Sequence, residues 1–218
     1  MIGTAGSCGL RQFNPGEEPS VSENGTMDRD LLNAAHQALR SAVIGVAPQH
    51  WSLPTPCDQW NVTQVLQHAA GDQLAYVAAI TGGGGPSENP FAPSGHLERS
   101  PLAVMDQALQ AAADAWRTVA DDDPGVPTPL PQGALPAWLA AGACALDAAV
   151  HAWDIAQATG QRSPLTPAVA RPLMAVATQI VEPLRGFAYA PALDGRAGGD
   201  DAALLLRYLG RRPDWTSS

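Results

Sequence analysis

Apolar residues recur every three or four positions along several segments of the chain, which is the period of an amphipathic α-helix. In the first such segment, residues 28–47, leucine, alanine and valine side chains fall on one stripe that ends before Pro48. No segment shows the strict alternation of a half-buried β-strand. The pattern predicts six helices, which cover residues 28–47, 61–80, 101–119, 136–159, 167–183 and 200–209.

Residues that favour helix ends support these boundaries. Asn61 is followed three positions later by Gln64, which is the capping-box pattern of a helix N-terminus. Thr166 before Pro167 predicts a cap and a first helical residue, and glycine follows the second and fourth helices. Four long helices joined by loops are typical of an all-α, up-down four-helix bundle, here with extra helices at the C-terminal end.

The first 26 residues differ in composition from the rest of the chain. They are rich in glycine, serine, proline, asparagine and glutamate and show no hydrophobic period, so we predict a disordered N-terminal tail over residues 1–26. Organised sequence starts at Met27, which makes that methionine a candidate translation start. Residues 27–218 form one predicted helical domain, which is long enough to bury a core without disulfides.

The charge of the chain argues against several classes of partner. There are 12 basic and 21 acidic residues, a formal net charge of -9, and no basic run. We therefore expect neither nucleic acid nor an anionic membrane surface as a partner, because both are bound through lysine and arginine. No stretch of 18 apolar residues and no apolar leader is present, so the expected location is cytoplasmic. The three cysteines form no CxxC pair and predict no disulfide framework.

The fourth predicted helix carries polar residues that its apolar surroundings do not explain. Asp147 and His151 lie four residues apart and therefore about 40° apart around the helix, one turn above the other. His68 lies on the second helix, which can face the fourth in a bundle. One divalent ion can bind a carboxylate and two imidazoles, so the predicted metal ligands are His68, Asp147 and His151. Three protein ligands leave a position open, which is typical of catalytic zinc.

Other interpretations of these residues stay open. Asp147 and His151 also fit an ordinary surface ion pair at i and i+4, which contributes about 0.3–0.5 kcal/mol. Asp72 and Asp154, about one turn beyond the two histidines, either orient those histidines or are plain surface acids.

The remaining histidines and the cysteine nearest the site are assigned no part in metal binding. His36 lies on the first helix, and His50 and His96 lie in loops. Cys57 could act as a nucleophile, but His68 lies about 10 Å along the second helix from its cap. A small buried residue in a packed loop is the favoured interpretation of Cys57.

Three segments of the chain resemble a known family. The paired signatures of the mycothiol-dependent maleylpyruvate isomerase group, within the DinB-like superfamily, resemble PTPCDQWNVTQVLQHAAGD (54–72) and LDAAVHAWDIAQATGQ (146–161). The end of a compact actinobacterial subfamily of metal-binding proteins is similar to RYLGRRPDW (207–215). The resemblance spans residues 27–215.

This resemblance implies a DinB-like bundle that binds a divalent metal ion, expected to be zinc, with His68, Asp147 and His151 at the positions of the family ligands. Asp147 stands where the isomerase has the longer glutamate. The implied function is a metal-dependent thiol transferase or isomerase that acts on a small electrophilic molecule, with mycothiol as the thiol cosubstrate. The alternative is a non-catalytic metal-binding module for sensing or structure. A small-molecule substrate or thiol is the expected partner, and a homodimer stays open.

Overall fold

The computed structural model describes residues 26–194 and 199–216. These ranges contain six α-helices: α1 (Arg29–Ile44), α2 (Val62–Thr81), α3 (Pro101–Trp116), α4 (Ala137–Ala158), α5 (Pro167–Ile180) and α6 (Asp201–Tyr208). Isolated bridges are the only β-type pairing among the described residues, so the predicted all-α class is confirmed. The predicted tail lies outside the described residues except for residue 26, so its disorder and the domain boundary stay predictions.

The first four helices form the bundle, and the last two pack outside it, on the side of α4. α1 packs against α3 and α4, and α2 packs against the same two helices. This pairing places α1 and α2 diagonally across the bundle, so the connection between them crosses from one side to the other, whereas α2 and α3 are neighbours. α5 packs on α4, and α6 packs on α5. The second and fourth helices are therefore neighbours, as the predicted site requires.

The central position of α4 follows from its composition. Alanine and large apolar residues lie on all its sides, and almost every residue of the helix is buried. Gly142 allows close approach to α5, because a Cβ atom at this position would lie 2.5 Å from Cγ2 of Val176. By length and composition α4 could also cross a membrane, but 94% of its apolar window is buried within the described residues. The apolar surface of α4 is thus used for packing in the bundle.

The helix ends agree with most of the predicted signals. The Asn61 side chain accepts a hydrogen bond from the Gln64 amide at 3.0 Å, and the Gln64 side chain accepts one from the Asn61 amide at 3.1 Å, which confirms the capping box. Thr166 lies at the cap of α5, but its side chain makes no capping hydrogen bond. α1 and α5 end three residues earlier than predicted. Pro48 disfavours helical conformation at Ala47, and after α5 the chain continues as a 3₁₀ turn, Glu182–Leu184, because Pro183 has no amide hydrogen for the α-helical pattern.

Candidate metal centre

The bundle brings the three predicted ligands together between α2 and α4. Oδ1 of Asp147 lies 3.3 Å from Nε2 of His151 and 3.9 Å from Nε2 of His68. One ligand atom from each residue lies within 4.8 Å of the other two. The two imidazole rings meet edge to face, with 4.7 Å between their centroids. We call His68, Asp147 and His151 the triad.

Both histidines are held by the nitrogen that faces away from the triad. Nδ1 of His68 is 2.9 Å from the carbonyl oxygen of Pro90, and Nδ1 of His151 is 2.9 Å from Oδ2 of Asp154. Since both partners only accept hydrogen bonds, each Nδ1 must carry the proton. In the neutral rings this leaves the Nε2 lone pairs directed at Asp147, which is the orientation that metal-binding histidines need.

Asp154 is fully buried and is shared between His151 and an arginine from the C-terminal end of the chain. Arg211 donates two hydrogen bonds to its carboxylate, from Nε to Oδ1 at 3.0 Å and from Nη2 to Oδ2 at 2.9 Å. Burial alone would raise the pKa of Asp154, but Arg211 and the hydrogen bond from His151 lower that pKa to about 2. Of the two interpretations that the sequence left open, Asp154 is therefore the orienting residue and not a surface acid.

The carboxylate of Asp147 is fixed from its other side by a buried glutamine. Gln73, fully buried on α2, donates from Nε2 to Oδ2 of Asp147 at 3.3 Å. Its Oε1 accepts hydrogen bonds from Nε2 of His36 at 2.8 Å and from Sγ of Cys144 at 3.0 Å. His36, which the sequence assigned no part in metal binding, is not in the triad, but it supports the site because it holds the glutamine that holds a triad residue.

Asp72 occupies a different place from Asp154. Its Oδ2 lies 3.6 Å from Nε2 of His68, the nitrogen that faces the triad, and not beside Nδ1. It therefore does not orient His68, which already donates to a backbone carbonyl. Burial and the neighbouring carboxylate of Asp147 raise the pKa of Asp72 well above its usual value.

The electrostatics of the triad itself follow from its close packing. Burial and the neighbouring His151 lower the pKa of His68 to about 4. Burial would also lower the pKa of His151, but Asp147 and Asp154 raise it to about 9. Burial alone would raise the pKa of Asp147, but the two neighbouring imidazoles outweigh burial and lower that pKa below its usual value. Ligand imidazoles bind ions in their neutral form, so an ion at this site competes with a proton on His151.

A cavity of about 930 Å³ opens beside the triad. Its lining comes from α2, α4, the end of α5, the four loops that precede α2, α3, α4 and α6, and the segment after α6. Besides the triad it includes Cys57, Asp72, Phe91, Leu130, Phe187, Tyr189 and Arg211. Cys57 thus lies closer to the site than its sequence position suggested, in the wall of the same cavity. Burial raises the pKa of its thiol to about 12, which keeps it protonated and unreactive.

The donor set fits a divalent ion. Two imidazole nitrogens and one carboxylate oxygen are typical ligands of zinc, and nickel, iron or manganese would accept them as well. Ligand atoms of a tetrahedral zinc ion with bonds of about 2.0–2.1 Å lie about 3.3 Å apart. The 3.3 Å separation of Asp147 and His151 matches this spacing, whereas Nε2 of His68, 3.9 Å from Oδ1 of Asp147, must move inward to reach it. The presence of an ion stays a prediction.

The comparison with known proteins identifies the family. The model of the mycothiol maleylpyruvate isomerase N-terminal domain family matches residues 32–156, which include His68 and the Asp147–His151 pair. The chain belongs to this family. The resemblance inferred from the two signatures is confirmed.

Relatives and solved structures agree with this assignment. Two uncharacterised proteins from Mycobacterium tuberculosis, strains CDC 1551/Oshkosh and H37Rv, are each 30% identical over 151 residues, covering 68% of this chain and 76% of the relative. The crystal structure of the mycothiol-dependent maleylpyruvate isomerase matches with a TM-score of 0.60 at 18% identity, over 85% of this chain and 88% of that chain. A histidine-to-alanine mutant of that isomerase matches with a TM-score of 0.54 at 16% identity, over 81% and 85%. These two structures establish the shared DinB-like fold.

Sequence reasoning missed two residues that hold the triad in place. Arg211 lies in the segment RYLGRRPDW, which supported the family resemblance but suggested no role for the arginine. Gln73 gives no signal in the sequence, since a glutamine on an alanine-rich helix is usually exposed. Gln73 contacts Asp147, which lies 74 residues away in the sequence, and Arg211 contacts Asp154, which lies 57 residues away.

Proposed function

We propose that this protein is a divalent-metal-dependent enzyme that uses the thiol mycothiol to transform a small electrophile, as a thiol S-transferase or an isomerase. The observation that carries the proposal is the convergence of Nε2 of His68, Oδ1 of Asp147 and Nε2 of His151 on the wall of a 930 Å³ cavity. The chain belongs to the mycothiol maleylpyruvate isomerase N-terminal domain family, and this membership supports the choice of mycothiol as the thiol. Zinc is the proposed ion, and the cytoplasm is the proposed location.

Each polar residue of the site has a proposed role. His68, Asp147 and His151 would hold the ion, with Asp154 and Gln73 fixing the orientation of two of them. When bound, the ion would lower the pKa of a coordinated thiol, so that a thiolate is available at neutral pH. The protein encloses this thiol in a cavity beside the electrophile, which supplies proximity and excludes bulk water.

Asp72 is the residue placed to receive the thiol proton. Its carboxylate lies on the side of His68 that faces the triad, and it also lines the cavity. Asp154 cannot serve, because it is fully buried and its oxygens are engaged by His151 and Arg211. In the proposed step the thiol proton would pass to Asp72 as the thiolate forms. The sulfur would then form a bond to the electrophilic carbon, whose π bond or bond to a leaving group breaks and gives up its electron pair to the neighbouring atom or to the leaving group. Transfer would end when the leaving group departs with that electron pair and takes the proton from Asp72. Isomerisation would end when the C–S bond breaks, the double bond re-forms and Asp72 returns the proton to the sulfur.

A non-catalytic metal-binding module is the competing function. A closed site with four protein ligands would favour that alternative, since structural zinc sites leave no open position. The triad supplies three ligands and adjoins a large cavity, and this arrangement supports the enzyme.

The test is turnover by the zinc-loaded protein, with mycothiol and other small thiols against a panel of charged and uncharged electrophiles. We expect turnover that is lost on chelation, restored by zinc and absent from His151→Ala. Asp72→Asn should keep the ion and lose most of the turnover, because it removes only the proton acceptor. Failure of every thiol and electrophile to react with a protein that does bind zinc would exclude the enzyme and favour the metal-binding module.

A further inference from the structure

The cavity beside the triad has an apolar wall that the proposed metal chemistry does not use. This wall comes from the loop before α4 and from the segment around the end of α5, through Leu130, Ile180, Leu184 and Phe187. Ile180 and Leu184 belong to the buried core, so their positions are fixed by packing. A ligand that fills the cavity must therefore place part of its surface against fixed hydrocarbon.

Two phenylalanines extend this apolar surface to the exterior. Phe91 and Phe187 come from different loops, and their ring centroids lie 5.2 Å apart. They are 49% and 70% exposed, whereas most large apolar side chains of the described residues are buried. The Phe91 ring also lies 5.6 Å from that of His68, so aromatic surface is continuous from the exterior to the triad. Exposed apolar side chains grouped at a cavity are typical of ligand contacts.

The charges of the cavity do not suit a dianionic ligand. Asp58, Asp72 and Asp147 contribute carboxyl groups to the lining. Arg211 is the one arginine or lysine among the described lining residues, and its charge is balanced by Asp154 through two hydrogen bonds. A divalent ion at the triad would lie beside Asp147 and Asp72, and without an ion a protonated His151 lies beside Asp147 and Asp154. Among the described lining residues, no cation is then left without an acidic partner to repay the desolvation of two anionic groups on a ligand.

We propose that the cavity binds an uncharged, largely apolar electrophile and discriminates against dicarboxylates. This inference rests on the proposed function in taking the cavity as the electrophile site. The structurally similar isomerase is named for maleylpyruvate, a dicarboxylate, and the present lining argues for a different class of substrate in this chain. Phe187 is a specificity-determining residue in this account, since its ring forms the outer part of the apolar surface.

The test compares two unreactive probes with the same skeleton, dimethyl phthalate and phthalate, which differ in charge. Binding to the full chain is measured by calorimetry and ligand-observed NMR, with and without zinc. We expect dimethyl phthalate to bind at least about tenfold more tightly than phthalate, which corresponds to about 1.4 kcal/mol. Phe187→Arg should reduce or reverse this preference, and Phe187→Leu should keep it. Ile44→Arg places the same charge on an exposed position of α1 that does not line the cavity, and it should change nothing.

Equal or tighter binding of phthalate to the parent protein, or no binding of the diester at millimolar concentration, overturns the proposal. An unchanged preference in Phe187→Arg would overturn the role of Phe187. The arm without zinc separates this inference from the proposed function, because it measures the charge preference of the lining even when no ion binds.

Discussion

Replacing Asp154 with asparagine removes one charge from a buried contact while nearly preserving its shape. Asp154 is 0% exposed, and the side chain of its partner Arg211 is 11% exposed. Breaking a buried ion pair by neutralising one partner leaves the other charge uncompensated, which costs about 3–5 kcal/mol. We therefore expect Asp154→Asn to lower the free energy of unfolding by an amount in this range.

Asp106→Asn is the matched control. Asp106 also accepts two hydrogen bonds from one arginine, with Nε of Arg40 at 2.7 Å and Nη2 at 3.2 Å. These side chains are 47% and 41% exposed, so the control should lose only about 0–1 kcal/mol. Both variants differ from the parent by the same atoms. The two pairs differ in burial, and Asp154 also accepts a hydrogen bond from His151.

Urea unfolding followed by circular dichroism measures both losses, with chelator present so that metal binding does not contribute. If Asp154→Asn costs no more than Asp106→Asn, the buried pair does not anchor the C-terminal end of the chain, and the reasoning fails. With zinc present, the same variant should bind the ion about 10–100-fold more weakly, because a ligand histidine loses the carboxylate that orients it.

Further predictions address the glutamine, the helix packing and the caps. Gln73→Leu should weaken zinc affinity by about 10–100-fold and alter the absorption spectrum of the cobalt-substituted protein, because one ligand carboxylate loses its hydrogen bond; an unchanged spectrum would contradict this. Gly142→Ala should destabilise the protein by about 1–3 kcal/mol in urea unfolding, because the added methyl group overlaps Val176. Val176→Ala should relieve that cost in the double variant, and additive losses would rule out the overlap. Asn61→Ala should lower the free energy of unfolding by about 0.5–2 kcal/mol through loss of the capping box. Thr166→Ala removes no capping hydrogen bond and should cost much less. Equal losses in the two variants would show that the caps do not decide these helix ends.

The helices and the triad were predictable because their signals are local. Asn61 and Gln64 are three residues apart and cap each other, and a helix places Asp147 and His151 on one face at a spacing of four. His68 followed from the predicted bundle, in which the second helix can face the fourth, and the family resemblance supported the same residue. Each of these inferences needed only the helical period and one fold-level rule.

The residues that support the triad were not predictable in the same way. Arg211 lies 57 residues from Asp154, and Gln73 lies 37 residues from His36 and 74 from Asp147. Such contacts depend on how helices and the C-terminal segment pack, which no local pattern encodes. The local sequence could not decide whether Asp154 orients a histidine or is a surface acid, and packing buries it completely.

The central claim is that the triad binds one divalent ion, and elemental analysis tests it most directly. The full chain is purified without a histidine tag beside His151→Ala, and metal is measured before and after reconstitution with zinc. The account predicts about one equivalent of ion in the parent protein, lost in the variant while the helical circular dichroism spectrum is kept. No metal in either protein, even after reconstitution, would contradict the claim.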